Sequence, residues 1–168
     1  MRQADKAEYT EFAAAAARRL RRTAYLMCGD WHRAEDAAQD ALLRIYRRWT
    51  KLNRTAGLTT YAHRAVVSAV LDQAKRPWRR EQSTAAMADP GTAGEPGRTV
   101  DNRLLVIQAL AAVPPGQRAC VVLRHYADLS IADTAEILGI SPGAVKSQTS
   151  SGLDRLRELL GSDERIHL

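Results

Sequence analysis

The segment 129–160 contains two helical patterns separated by a turn of only a few residues. Ser130 can cap the start of the first helix, and Gly139 can adopt the left-handed backbone with which many helices end. Ser141 and Pro142 follow at once, and a Ser cap with Pro in the first turn is typical of a new helix. So short a connection between two helices predicts a helix-turn-helix.

The second helix of this pair has one apolar face and one face of small side chains. A small, weakly charged face suits a DNA groove better than a membrane, and the free amides at a helix start favour contact with a phosphate. Many packed helical hairpins share this pattern, so an ordinary corner of a helical bundle is the alternative. The positions predicted to face inward are Val145, Thr149, Leu153, Leu156 and Leu160.

Positive charge is concentrated in the first half of the chain. Residues 1–80 contain 17 Lys and Arg against 8 Asp and Glu, whereas residues 101–168 contain 7 against 8. A basic surface attracts polyanions, so this asymmetry favours nucleic acid as a partner of the first half.

Three helical patterns occupy the first half. Apolar residues recur at helical intervals over 12–27, and a polar loop, 53–60, precedes a third helix predicted over 61–75. A second helix is predicted between the first helical pattern and this loop. Its Leu43 is apolar but lies away from the main apolar face of the helix. That face consists of Ala34, Ala38, Ala41, Ile45 and Trp49.

The second half also contains helical patterns alone. A short helix around 104–110 is broken by Pro114 and Pro115, another is predicted over 117–126, and the helix-turn-helix follows. We find no alternating apolar and polar stretch bounded by hairpin turns. The sequence therefore predicts an all-α protein.

A stretch between the two halves has the composition of a linker. Residues 81–99 are rich in Gly, Pro and small side chains and nearly lack bulky ones, which is typical of a flexible connection. We predict two small helical modules, 1–80 and 101–168, joined by a flexible linker over 81–100.

Several functional classes are disfavoured. Cys28 and Cys120 are far apart with no Cys-x-x-Cys pair, and the four histidines show no repeated spacing, so no metal or cofactor is predicted. There is no phosphate loop and no set of nucleophile and base, so an enzyme with catalytic residues and a small-molecule substrate ranks last. No apolar run could insert into a membrane and no secretory signal is recognisable, so we expect a cytoplasmic protein.

Three motifs occur here in the order in which one family carries them. They are Asp-Ala-Ala-Gln-Asp-Ala-Leu-Leu-Arg-Ile-Tyr at 36–46, Lys-Arg-Pro-Trp-Arg-Arg at 75–80, and Ala-Glu-Ile-Leu-Gly-Ile-Ser-Pro-Gly-Ala-Val-Lys-Ser at 135–147. Together they resemble the extracytoplasmic-function (ECF) sigma factors of RNA polymerase. The Val-Lys-Ser-Gln of 145–148 is similar to the short, SigE-like actinobacterial members. The resemblance spans both halves and the linker.

The resemblance implies a protein without catalysis of its own that binds RNA polymerase core and directs it to promoters, in the nucleoid when part of the holoenzyme. The first module resembles sigma region two, a bundle of three or four helices, and would dock on the clamp helices of the polymerase. The second resembles region four, a four-helix domain with a helix-turn-helix, and would contact the flap. An exposed Leu among charges can bury its apolar side at an interface, although a solvated helix face is the alternative. The implied docking residues are Asp36, Gln39, Asp40, Leu43 and Arg47.

The third helix and the loop before it resemble the part of the family that opens DNA and reads the minus-ten element. Opened DNA is single-stranded, and proteins hold it with cationic grooves and aromatic rings. Ser68 stands where relatives usually carry Asn, so a different base preference is implied. For Tyr61 and Trp78, packing is an equal alternative. The implied residues are Asn53, Arg54, Thr55, Tyr61, Arg64, Ser68, Lys75, Arg76, Trp78, Arg79 and Arg80.

The second helix of the helix-turn-helix would enter the major groove at the minus-thirty-five element. Ser151 stands where many relatives carry Arg, and an Arg bound to guanine is worth about 1–3 kcal/mol of base discrimination, which Ser cannot match. Base readout that is weaker or shifted, with a larger share of backbone contacts, is therefore implied. The implied residues are Pro142, Gly143, Lys146, Ser147, Gln148, Ser150, Ser151 and Arg155.

Two other hypotheses remain open on the sequence besides the enzyme ranked last. The first is a helix-turn-helix regulator that binds an operator without polymerase. The second is an interaction protein that has lost DNA binding. The resemblance itself also implies an anti-sigma factor as a possible further partner. Binding to core polymerase separates the sigma factor from the regulator.

Overall fold

The computed structural model describes residues 1–75 and 98–161, with only the backbone described over 98–101. The chain divides into two compact units, Met1–Ala85 and Ala86–Leu168. All regular structure in the described ranges is helical. The prediction of an all-α chain with two helical modules is therefore confirmed.

The first unit is built from three helices that pack against one another: α1 (Gln3–Cys28), α2 (Trp31–Arg48) and α3 (Leu58–Ala74). Gly29 ends α1 with a left-handed φ of 71°, and Asp30 begins α2 by accepting hydrogen bonds from the backbone N–H of His32 (2.9 Å) and Arg33 (3.1 Å). A 3-10 turn, Trp49–Lys51, extends α2. The connection between α1 and α2 is thus short and fixed at both ends.

The predicted apolar face of α2 forms the centre of the first unit. Ala34, Ala38, Ala41, Ile45 and Trp49 are all buried. Small Ala side chains let neighbouring helices approach closely. The Trp49 ring packs against two aromatic rings of α1, with its centroid 5.3 Å from those of Tyr9 and Phe12.

Helix α3 begins three residues earlier than the sequence pattern indicated. Residues 58–60, predicted as the end of the loop, are helical. Gly57 precedes them with a φ of 82°, and its carbonyl accepts the first helical hydrogen bond, from the N–H of Tyr61 at 2.9 Å. A glycine start provides no capping side chain, so this boundary lacks the usual sequence signal.

The second unit contains α4 (Arg98–Ala111), α5 (Pro115–Val121), α6 (Ile131–Leu138) and α7 (Pro142–Leu160), and α7 packs on the other three. A π-helical stretch, Val122–Tyr126, continues α5.

Two helix starts and one helix type in the second unit differ from the predictions. Residues 98–100 belong to α4 rather than to the linker, whose residues 81–97 lie outside the described part. Helix α5 starts at Pro115 rather than at 117, because Pro is accepted in a first helical turn. The predicted helix over 117–126 changes from α to π geometry at Val122.

The helix-turn-helix is confirmed. Ser130 Oγ accepts a hydrogen bond from the N–H of Asp133 at 3.0 Å, and Ser141 Oγ accepts one from the N–H of Ala144 at 3.1 Å. Gly139 ends α6 with a φ of 66°. The predicted inward residues of α7 divide into the buried Val145 and Leu156 and the half-buried Thr149, Leu153 and Leu160.

A close contact between α5 and α7 depends on Gly152, which the sequence analysis did not single out. A Cβ at this position would lie 2.7 Å from Val121 Cγ2 and 3.1 Å from the carbonyl oxygen of Gln117. Distances this short leave no room for a side chain, so only glycine fits here without a shift of α5 or α7.

Candidate functional site

The outer face of α2 carries most of the predicted docking residues. Asp36, Gln39, Leu43 and Arg47 are three or four residues apart and all exposed, with Leu43 at 45% exposure. Tyr46, which the sequence analysis did not select, is 37% exposed beside Leu43 and adds aromatic surface to this face. We call these five residues the α2 outer face.

Asp40 has a different environment. Its carboxylate lies 2.7 Å from Arg44 Nη2, which also contacts Asp72 on α3 at 3.0 Å. The other guanidinium nitrogen, Nη1, donates a hydrogen bond to Ser68 Oγ at 3.1 Å. Hydrogen bonding to Asp72 raises the pKa of Arg44. Arg44 thus joins α2 to the predicted DNA-reading helix, a role that neither Arg44 nor Asp72 had in the sequence analysis.

The outward side of α3 carries the predicted minus-ten residues that the structure describes. Tyr61 and Ser68 are half-buried, whereas Arg64 and Lys75 are exposed. Their spacing of three, four and seven residues places them along one side of the helix. We call these four residues the α3 outer face. Arg76, Trp78, Arg79 and Arg80 lie outside the described residues.

The loop before α3 is ordered by its own side chains. Asn53 Oδ1 accepts hydrogen bonds from the N–H of Thr55 at 3.1 Å, from Thr55 Oγ1 at 2.7 Å and from the N–H of Ala56 at 3.3 Å. This is the arrangement by which Asn side chains stabilise tight turns. The predicted residues Asn53 and Thr55 therefore shape the loop, and both are exposed.

Arg54 of the same loop is directed toward α1. Its Nη1 atom lies 3.1 Å from Asp5 Oδ1 and 2.7 Å from Glu8 Oε2. The guanidinium carbon is 5.7 Å from the centroid of the Trp49 ring. The hydrogen bond from Arg54 lowers the pKa of Asp5. The structure brings this predicted DNA-binding residue to two carboxylates.

The first half of α7 forms the other predicted surface. Pro142, Gly143, Lys146, Ser147, Ser150 and Ser151 are exposed, and Lys146 is the one charged residue within 142–151. Gln148 is half-buried and lies over α5, where a Cβ on Gly116 would be 3.4 Å from its Oε1. Arg155 is paired with Glu158 at 3.0 Å. The start of α7 is therefore a small, weakly charged surface, as the sequence predicted.

Residues 1–75 and 98–161 lack two kinds of feature. No three His, Cys, Asp or Glu side chains in these ranges converge as metal ligands would. No helix there combines the length and apolar character needed to span a bilayer.

Two family models match the chain, and each falls mainly within one of its structural units. The Sigma-70 region 2 model matches residues 12–80 and the Sigma-70 region 4 model matches residues 103–156. The ECF RNA polymerase sigma factor SigM of Mycobacterium tuberculosis is 36% identical over 144 residues, which cover 86% of this chain and 72% of that relative. The chain belongs to the ECF family of RNA polymerase sigma factors. This ECF sigma factor is thus a transcription initiation factor that binds RNA polymerase and recognises promoter DNA.

Other relatives agree with this assignment. The RNA polymerase sigma-E factor of Streptomyces avermitilis is 32% identical over 155 residues, covering 92% of this ECF sigma factor and 86% of that protein. Among solved structures, the sigma factor RpoE of Bartonella quintana, in complex with the anti-sigma factor NepR, has a TM-score of 0.77 at 21% identity. The two aligned parts cover 94% of this chain and 99% of that one. CnrH in complex with the cytosolic domain of CnrY has a TM-score of 0.69 at 17% identity, covering 95% and 91%. At these identities the two structures show the fold.

Proposed function

We propose that this ECF sigma factor divides its task among three surfaces. The α2 outer face docks on RNA polymerase core, the α3 outer face and the loop before it take the opened minus-ten strand, and the start of α7 enters the major groove at the minus-thirty-five element. The observation that carries the proposal is that the two sigma region models match the two units in order. Each unit also presents a helix face that does not form part of its apolar core.

The α2 outer face has the composition of a docking surface. Leu43 and Tyr46 are large apolar side chains left exposed on a helix whose opposite side is buried. Asp36, Gln39 and Arg47 surround them. An apolar centre with a polar rim is typical of protein interfaces. Asp40 contributes through Arg44, since its carboxylate is already paired.

The α3 outer face supports binding of single-stranded DNA. Arg64 and Lys75 supply exposed positive charge, Tyr61 supplies a ring on which a base can stack, and Ser68 Oγ is oriented by Arg44. Asn53 and Thr55 order the adjoining loop. We include Arg76, Trp78, Arg79 and Arg80 in this surface on the basis of the sequence.

At the start of α7, we propose that DNA is recognised mainly through its shape and through contacts with its phosphate backbone. Lys146 contacts a phosphate, and the small Pro142, Gly143, Ser147, Ser150 and Ser151 allow close approach to base edges. Gln148 packs on α5 and Arg155 is paired, so we assign them supporting roles. Replacing Lys146 by Ala is expected to weaken binding to all sequences and to reduce the salt slope by about one.

We also propose what the protein does not do alone. It performs no catalysis, because DNA opening draws on binding energy within the polymerase complex. It acts in the cytoplasm, where bacterial polymerase and chromosome are found. Since RpoE of Bartonella quintana was solved with an anti-sigma factor, we propose a partner of that class for this chain too.

Replacing Leu43 by Asp tests the docking surface. We expect Leu43→Asp to weaken association with core polymerase by about tenfold, corresponding to about 1.4 kcal/mol, because a charge would enter the apolar centre of the interface. Leu71→Asp is the matched control, since Leu71 is exposed to the same degree, 46%, in the same unit. Equal affinities for Leu43→Asp and the wild-type protein would contradict the proposed face.

Promoter opening gives the second test. Replacing both Arg79 and Arg80 by Ala should lower open-complex formation more than core affinity, because the two cations are assigned to DNA. Equal losses in both measurements would count against that assignment. Tight, sequence-specific binding of the isolated protein to DNA would instead support an operator-binding regulator.

A further inference from the structure

We propose that Asp5 and Arg54 are positioning residues for promoter opening: the first turns of α1 hold the loop before α3 in place through Arg54, which is therefore not itself a ligand of DNA. This inference rests on the proposed function of that loop in binding the minus-ten strand. It changes the role that the sequence suggested for Arg54.

The first step is the geometry around Arg54. One guanidinium nitrogen contacts carboxylates from two turns of α1, at 3.1 Å for Asp5 and 2.7 Å for Glu8. The guanidinium also lies over the Trp49 ring, with 5.7 Å between its carbon and the ring centroid. Arg54 is thus held from two directions, by charge and by an aromatic face.

The second step is the local balance of charge. Asp5 is contacted by Arg2 as well, whose Nε lies 3.4 Å from Asp5 Oδ2. Two carboxylates therefore face two guanidiniums, and the cluster has no excess positive charge to attract a phosphate. A phosphate that bound Arg54 would also approach Asp5 and Glu8, and like charges at contact distance are unfavourable.

The third step is burial. The Asp5 side chain is only 8% exposed and that of Arg54 is 31% exposed. Moving Arg54 out to DNA would leave a largely buried carboxylate without this partner, which is costly. The ion pair therefore favours the position of Arg54 against α1.

The fourth step links this anchor to the loop. Arg54 stands between Asn53, whose side chain orders Thr55 and Ala56, and Gly57, whose left-handed backbone precedes α3. The ion pairs with α1 fix the orientation of this short turn relative to the rest of the unit. A site that binds one strand in a defined conformation gains affinity when it is ordered beforehand.

A double-mutant cycle in the complete holoenzyme tests the inference. Asp5→Asn, Arg54→Gln and the double variant are compared by open-complex formation, followed through a fluorescent 2-aminopurine in the minus-ten element. We expect Arg54→Gln to lower open-complex formation by about tenfold and Asp5→Asn by about threefold, because Asp5→Asn leaves the contact between Arg54 and Glu8 in place. The double variant should lower it no further than Arg54→Gln alone, because Asp5 acts through Arg54. Core affinity should change by less than about twofold, since the α2 outer face is untouched.

Controls separate positioning from general loss of structure. Glu11→Gln removes an exposed carboxylate further along α1 and should behave as the wild-type protein. Arg54→Lys keeps the charge and should fall between the wild-type protein and Arg54→Gln. Amide exchange at Thr55 and Ala56 should accelerate in Asp5→Asn while exchange in the core of α2 stays unchanged; acceleration throughout the unit would overturn the inference.

Direct binding of Arg54 to DNA would give a different set of results. If Arg54 binds a DNA phosphate, Arg54→Gln lowers the salt slope by about one, whereas Asp5→Asn leaves open-complex formation unchanged or increases it. That result would overturn the inference and leave the proposed function intact. If the wild-type holoenzyme opens no promoter, the proposed function itself fails.

Discussion

The two units hold their proposed DNA surfaces in different ways. In the first unit, side-chain ion pairs join separate elements: Arg54 of the loop before α3 reaches Asp5 across 49 residues of sequence, and Arg44 of α2 reaches Asp72 across 28. In the second unit, a helix cap at Ser141 and a close contact with α5 at Gly152 position α7. The first surface thus depends on charge and should respond to salt, whereas the second depends on backbone geometry and packing.

The difference agrees with the distribution of charge. The first 80 residues carry 8 carboxylates against 17 basic side chains. A carboxylate placed between helices there can therefore form an ion pair with a nearby basic side chain. The second unit has nearly balanced charge, and its exposed pair of Arg155 with Glu158 lies within α7. Pairs within a helix do not position one element against another.

The largest effect is expected at the contact between α5 and α7. Gly152→Val would force atoms into a space where a Cβ alone already lies 2.7 Å from Val121 Cγ2, and overpacking of this kind costs about 3 kcal/mol. Amide exchange of α7 in the full chain should report this loss, with the first unit unchanged. Gly143→Ala is the control, because the nearest atom to its Cβ would be Ser141 Oγ at 3.9 Å. Normal protection of α7 in Gly152→Val would show that packing does not hold this surface.

A smaller effect is expected at the cap of α7. Ser141→Ala removes the acceptor for the N–H of Ala144 and should cost the second unit about 1 kcal/mol. The loss should be the same at low and high salt, since neither group carries a net charge. Ser150→Ala, at an exposed position inside the same helix, should cost nothing. A loss that shrinks in high salt would break the proposed contrast between the units.

The smallest effect is expected for the pair formed by Arg44 and Asp72. Both side chains are more than a third exposed, and exposed pairs contribute about 0.5 kcal/mol. A cycle of Arg44→Ala, Asp72→Asn and the double variant should give a coupling of that size in dilute buffer. In 1 M salt the coupling should disappear, because the screening length falls to about 3 Å. A coupling that persists in 1 M salt would show that packing, and not charge, stabilises this contact.

Local patterns in the sequence predicted the secondary structure well. The face of α2 was visible because Ala34, Ala38 and Ala41 recur at helical intervals, and all three are buried. The helix-turn-helix was visible because its capping residues, Ser130 and Ser141, are marked by side-chain chemistry. Where a boundary has no such marker, as at Gly57, the prediction missed by three residues.

The features that required the structure are contacts between distant residues. No pattern around Arg54 indicates that Asp5 lies beside it, because 49 residues separate them. Gly152 likewise resembles any helical glycine until α5 is placed against it. The assignment of DNA-binding residues remains a prediction, and the contacts of Arg54 are the reason that we propose a positioning role for it instead.

The ion pairs at the beginning of α1 have a practical consequence for shortened variants of the protein. A variant that lacks residues 1–8 keeps Phe12 and Leu20, and with them much of the apolar side of α1. It lacks both carboxylates that contact Arg54. We expect such a variant to fold and to compete for polymerase while opening promoters poorly.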